Sequence, residues 1–211
     1  MPVTILVTGF GPFPGAPFNP TGPLVERLAR LRRPCLADTK IVPHIFPTSY
    51  AAVNRDLPKL IARHKPDALL MFGLAPRART LRIETRARNA VSLLPDAGGI
   101  ALRRLTIAAG GPAALAMPAP AWRLLASVRA ASVPATLSRD AGRYLCNYLC
   151  WRATEAAGKK GGPQVAAFIH VPKVRRGPVP RARVKNRSLA PADLARAGGA
   201  ILAAIAVSAR R

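Results

Sequence analysis

A chain of 211 residues, half of them hydrophobic, is long enough to bury a substantial core without disulfide or metal staples. Its 33 Lys and Arg against 9 Asp and Glu give a formal net charge of +24, which attracts polyanions, yet the bases are scattered from Arg27 to Arg211 with little aromatic interleaving for base stacking. Three cysteines, Cys35, Cys146 and Cys150, are an odd number without a short C-x-x-C pair, which points away from a secreted disulfide scaffold and towards a reducing, cytoplasmic setting.

In chain order, Val3 to Thr8 is an aliphatic and β-branched run ending at Gly9 and reads as a buried strand. Ile5, Leu6 and Val7 are followed at once by Thr8 and Gly9, unlike the long apolar core of a signal peptide. Prolines and glycine then force a loop to Asn19 and Pro20, a good N-cap and first-turn pair for a helix to about Arg33 with Leu24, Leu28 and Leu31 on one face. A strand from Lys40 to Phe46, a helix from Thr48 to His64 and a strand from Ala68 to Phe72, closed by Gly73, follow. Leu81 to Ala87 alternates apolar and polar residues, as a half-exposed strand or extended segment carrying Glu84. The stretch from Ala108 to Ala121 is rich in alanine, proline and glycine and reads as a loop. A helix from Trp122 to Ala130 and a strand from Val133 to Leu137 precede a helix that begins near Cys146 and runs to about Ala157. Gln164 to Val171 is the next strand, and its end delivers His170. A basic, proline-rich segment from Lys173 to Arg187 separates it from a last helix, Pro191 to Ala209, with Asp193 in its first turn. The apolar stretch Ala197 to Val207 is short for a bilayer span and reads as part of a buried helix.

Strands alternating with helices predict an α/β fold: a single three-layer α/β/α domain over residues 1–211 with a mostly parallel central sheet. Reactive groups then gather beyond the carboxyl ends of strands, which places Gly9 to Phe13, Gly73 to Pro76, the loop at Ser138 and His170 at one edge. Cys146, early in its helix, lies near the positive end of the helix dipole, which favours the thiolate. A buried cysteine on an apolar helix face is also a common packing residue, and on residue type alone both readings stand.

The stretch Ala141, Gly142, Arg143, Tyr144, Leu145, Cys146 and Asn147 resembles the nucleophile motif of the type I pyroglutamyl peptidases, also called pyrrolidone-carboxylate peptidases. Three further blocks match in order: Thr8 to Phe13 with Asn19 and Pro20; Gly73 to Pro76 with Ile83, Glu84 and Asn89; and Phe168 to Pro172. The resemblance implies a cysteine exopeptidase, a thiol protease that removes an N-terminal pyroglutamyl group from peptides, working without metal or cofactor and commonly as a dimer or tetramer. It assigns Cys146 as nucleophile, His170 as base and Glu84 as the carboxylate that orients the imidazole, and it places Phe10, Phe13, Thr48, Leu74, Tyr144 and Leu145 around the lactam. A flat, neutral lactam has little charge to grip, so aromatic walls with a few backbone hydrogen bonds suit it. His44, within a strand-like run, and His64, beside Lys65 and Pro66, are expected to be structural or solvated, Cys150 to pack in the core and Cys35 to lie at the surface.

The chain also departs from the family pattern. Ser92, Leu93, Leu94, Pro95 and Asp96 stand where the family usually has an arginine ahead of Ile-Pro-Asp, Arg77 and Arg79 flank Ala78 where a Gly-Arg pair is common, and the segment after Pro172 is strongly basic. These changes leave the three reactive side chains in place and alter substrate positioning, with Arg77, Arg79 and Arg175 favouring negative charge. The readings carried beside the peptidase are a weakened family member acting as a binding protein and a basic nucleic-acid-associated protein.

Overall fold

The computed structural model describes residues 2–13, 15–175 and 188–210. Beyond Arg175, the basic run expected up to Arg187 lies outside the described residues. The elements are β1 (Val3–Phe10), α1 (Thr21–Ala29), β2 (Thr39–Phe46), α2 (Tyr50–His64), β3 (Ala68–Leu74), β4 (Leu81–Glu84), β5 (Arg86–Arg88), β6 (Ala114–Ala116), α3 (Ala121–Ala130), β7 (Ala135–Ser138), α4 (Leu145–Ala157), β8 (Val165–Val171) and α5 (Pro191–Ser208).

A six-stranded sheet in the order β2-β1-β3-β8-β4-β7 forms the middle layer. The strands β2, β1, β3 and β8 are mutually parallel, whereas β4 runs antiparallel to β8 and parallel to β7. The sheet is therefore mostly parallel, as expected, with one reversed pair at its edge. That reversal corrects one expectation: the carboxyl end of β7 at Ser138 does not share the edge where β1, β3 and β8 end, and it pairs with Glu84 at the level of Phe168.

The central strands are buried on both faces, which is why they read as continuous apolar runs instead of alternating ones. Ile5, Val7, Leu70 and Ile169 point to the face covered by α1, α3 and α5, through Leu24, Leu28, Leu124, Val128, Leu194, Ile201 and Ile205. Leu6, Leu69, Met71 and Phe168 point to the other, covered by α2 and α4 through Tyr50, Val53, Leu57, Tyr148, Leu149 and Trp151. Each such large side chain, fully withdrawn from water, contributes about 1.5–3 kcal/mol. Helix α5 is 18 residues long and apolar enough by composition to cross a membrane, but its apolar side is spent on this core against α1 and α3.

Local chemistry sets the ends of the elements. The N-cap of α1 is Pro20 and not the expected Asn19, and the helix begins at Thr21, whose N–H donates to Asn19 Oδ1 at 3.1 Å from one place further back. Helix α1 stops at Ala29, short of the expected Arg33; Pro34 holds Arg33 extended (φ −142°, ψ 145°) and opens a short 3₁₀ turn at Pro34–Leu36. At the start of α5 the Asp193 carboxylate reaches back to the Ala190 N–H at 2.8 Å. Within the expected loop from Ala108 to Ala121, Ala114–Ala116 forms β6, paired antiparallel with β5 in a separate two-stranded ribbon.

Candidate active site

The thiol is positioned by two turns of backbone chemistry. Asp140 Oδ1 accepts the Gly142 N–H at 3.0 Å, and Gly142, at φ +81°, takes a left-handed conformation that favours glycine. The chain then becomes extended at Tyr144, the N-cap, and α4 starts at Leu145, so Cys146 is its second residue. The first N–H groups of a helix have no intrahelical acceptor and carry its positive end, so the sulfur stands among free donors.

Asn147, fully buried, fixes this first turn laterally. Its Oδ1 accepts the Arg88 N–H at 2.8 Å, and its Nδ2 donates to the carbonyls of Arg88 and Ala90 at 2.8 and 2.9 Å. Asn89, next along the same segment, accepts from the N–H groups of Ile107 and Ala108 and donates to Ala108, tying the following loop to β5. On the other side the thiol rests on β3: a Cβ placed on Gly73 would lie 2.7 Å from Cys146 Sγ and 2.6 Å from Phe168 Cζ. Glycine is thus required here for close approach. Gly73→Ala is expected to cost about 1–3 kcal/mol of stability through overpacking and to displace the sulfur. Thermal unfolding together with the rate of thiol alkylation checks both parts.

Gly73 is the register partner of His170 on β8. The imidazole is almost fully buried, edge-on to Phe168 at 5.0 Å between ring centres. Its Nδ1 lies 2.8 Å from Glu84 Oε1, and Glu84 is completely inaccessible to solvent. With Nδ1 held by the carboxylate, the nitrogen left for Cys146 is Nε2, and the thiol, seated against Gly73 beside the histidine, is near enough to act on the charge of the ring. Burial disfavours the charged ring, but Cys146 and Glu84 outweigh it and push the His170 pKa up to about 9 from 6.5. Around neutral pH the ring is therefore an imidazolium.

The raised value has a consequence for stability. A group whose folded pKa exceeds its unfolded one stabilises the fold fully below the unfolded value and loses that contribution as pH climbs through the folded one. Unfolding midpoints are expected to fall between about pH 6.5 and 9, and to fall less in Cys146→Ala, which removes the largest of the effects that hold the proton on the ring. Denaturant titrations at a series of pH values read this directly.

The other titratable candidates are separated from this centre. Cys150, one turn along α4, is sealed in the core, and burial pushes its thiol well above the ordinary range. Cys35 is exposed. His44 packs edge-on to Phe46 in β2, 3.9 Å from Asp56, and burial holds its pKa below the usual value.

Of the residues expected around a lactam, Leu74 follows Gly73 directly, and Tyr144 and Leu145 precede the thiol. The Thr48 hydroxyl donates to the Gly11 carbonyl at 3.3 Å, between Phe10 and Phe13. Phe10 is 3% and Leu145 1% exposed, both within the core on the α2 and α4 side, whereas Phe13 and Tyr144 are only partly covered. In the sequence Asp96 stands out only as the last residue of the Ser92 to Asp96 motif. It is buried and accepts the N–H groups of Tyr50, Gly98 and Ile100, while the Tyr144 hydroxyl donates to the neighbouring Pro95 carbonyl at 2.9 Å. The segment around Pro95 thereby links the starts of α2 and α4.

A thiol at a helix start and an imidazole held by a buried carboxylate, gathered on one face of an α/β/α sheet, are groups of the kind a cysteine hydrolase uses. The family model described as pyroglutamyl peptidase matches residues 3–210. Pyrrolidone-carboxylate peptidase of Pyrococcus furiosus is 31% identical over 185 residues, covering 83% of this chain and 88% of that protein. Pyrrolidone-carboxylate peptidase 1 of Ralstonia nicotianae is 33% identical over 170 residues, with 80% and 78% covered. Among solved structures, a mutant pyrrolidone carboxyl peptidase from P. furiosus superposes with a TM-score of 0.83 at 29% identity over 96% of this chain and 98% of that one. The pyrrolidone carboxyl peptidase of Thermococcus litoralis gives 0.85 at 25% identity, over 99% and 96%. The chain belongs to the pyroglutamyl peptidase family, a family of cysteine peptidases.

Proposed function

We propose that this protein removes an N-terminal 5-oxoprolyl group from peptides with Cys146 as nucleophile, His170 as proton carrier and Glu84 as its orienting partner, residues 1–211 acting as one catalytic unit. The observation that carries the reading is the His170 ring, held at 2.8 Å by the buried Glu84 carboxylate and placed beside Gly73, against which the Cys146 sulfur is seated. With its proton already resting on His170 Nε2 around neutral pH, the Cys146 sulfur adds to the carbonyl carbon that joins the lactam to the next residue. The oxyanion is met by N–H groups at the start of α4. His170 then protonates the leaving amine as the C–N bond breaks, which leaves a thioester on Cys146. Water, losing a proton to the same nitrogen, hydrolyses the thioester and releases 5-oxoproline. Glu84 on Nδ1 holds the ring in the orientation that both transfers require.

Partial exposure favours Phe13 and Tyr144 as side chains that touch the lactam, with Leu74 beside them, while Phe10, Thr48 and Leu145 form the layer that supports it. The family relationship favours this activity over a binding-protein or nucleic-acid role. Assembly into a dimer or tetramer is part of the same reading, supported by the exposed Leu93, Leu94, Ile100 and Leu105, at 57–68% accessibility. The direct test is to incubate the purified protein with a peptide bearing pyroglutamate and with the same peptide starting in glutamine or proline. Release of the first residue from the pyroglutamyl peptide alone is the expected result.

A further inference from the structure

The reversed strand β4 has an effect on the mouth of the site. Arg82 is the antiparallel partner of His170, so the two side chains leave the same face of the sheet from adjacent strands. Arg82 is exposed, while Glu84, two residues on along the same face, is fully buried. Just before it, the connection from β3 to β4 carries Arg77 and Arg79, both exposed, and this connection is anchored beside the histidine by the Ala75 N–H bonding to the Val171 carbonyl at 2.8 Å. Lys173, also exposed, follows β8 on the same edge.

These cations are not neutralised. The side chains of Arg77, Arg79, Arg82 and Lys173 make no hydrogen bond or ion pair among the described residues, in contrast to Arg88, which is paired with Asp140 at 3.2 Å, and Arg86, which donates to the Arg139 carbonyl. Between Leu74 and Pro95 the chain has five arginines and one acid, and that acid is the buried Glu84. A dense set of unpaired cations around a cleft focuses its field on what enters.

We infer that Arg77, Arg79 and Arg82 form a specificity rim that selects pyroglutamyl peptides with acidic residues immediately after the scissile bond. This rests on the peptidase reading and adds a substrate class to it. The rim acts on encounter and positioning, not on the bond-breaking step, so its influence falls on kcat/KM and is removed by salt.

The test compares C-terminally amidated peptides that begin pyroglutamyl-Glu, pyroglutamyl-Gln or pyroglutamyl-Lys. At low ionic strength kcat/KM is expected to fall in that order, with about tenfold between the extremes, and the order should collapse at about 0.5 M salt, where screening acts within roughly 4 Å. The triple variant Arg77→Glu, Arg79→Glu, Arg82→Glu should invert it. A control with the same change in net charge, Arg30→Glu, Arg32→Glu, Arg63→Glu, alters the far ends of α1 and α2 and should preserve it. A free-acid pyroglutamyl-Ala set beside its amide separates a terminal carboxylate from an acidic side chain. Acceleration of the free acid alone overturns the assignment to side chains, as does equal cleavage of the three peptides or an equal response in rim and control variants.

An independent readout uses Cys146 itself, through the ratio of its alkylation rates with anionic iodoacetate and neutral iodoacetamide. That ratio should drop in the rim variant and hold in the control. Cleavage of all three peptides at one rate removes the rim and leaves the peptidase standing. A charge-dependent alkylation ratio without any cleavage removes the peptidase and leaves the rim.

Discussion

Cys146→Ser is expected to lower turnover of a pyroglutamyl anilide by about 10⁴-fold or more, the scale seen when a triad nucleophile is removed. A serine hydroxyl in the same place nearly keeps the volume but is a far weaker acid than a thiol. The imidazole consequently loses the partner charge that helps to raise it towards pH 9. Folding should be nearly unaffected, because the position is only half-buried and the exchange is close to isosteric. Steady-state kinetics beside a thermal melt separate the two effects. A variant that folds normally and retains full rate would show that the sulfur is a packing atom and that the nucleophile lies elsewhere.

Glu84→Gln should cost about 10²–10⁴-fold in kcat with little change in KM, since the carboxylate holds the imidazole and never meets the substrate. The amide still has an oxygen to face Nδ1, so the ring can keep its place, but the charge that favours imidazolium is gone. The His170 pKa should fall in consequence. Glu84 Oε2 has no hydrogen-bond partner among the described residues, so the amide would bury a donor with nothing to donate to, a destabilisation of about 1–3 kcal/mol. NMR titration of His170 distinguishes this from simple damage to packing: a loss of rate with the histidine pKa unmoved would mean that Glu84 acts only as a structural residue.

Much of this arrangement was legible in the chain because its cues are local. Continuous apolar runs such as Ala68 to Phe72 mark doubly covered strands, and Asn19, Pro20 and Asp193 mark helix starts. The three residues proposed as reactive stand in motifs that resemble those of the family. What escaped depends on partners distant in sequence. Nothing in Leu81 to Glu84 specifies that it runs against β8, because so short a strand gains its direction from the neighbours with which it pairs. Ala114 to Ala116 has too little pattern to declare a strand, and forms one only because Arg86 to Arg88 offers an edge. The tight seat of Cys146 on Gly73 and the adjacency of Arg82 and His170 likewise follow from packing and register, which no spacing rule contains.

That antiparallel junction sets a tolerance for the chemistry. Acid and base sit on adjacent strands, two residues out of step, and the distance between them is governed by ladder hydrogen bonds in a rigid interior. A slip of one residue would turn the carboxylate to the opposite side of the sheet, among the aliphatic side chains under α3 and α5, where an unpaired anion is not tolerated. Surrounding loops can thus lengthen or become basic without moving Glu84 relative to His170.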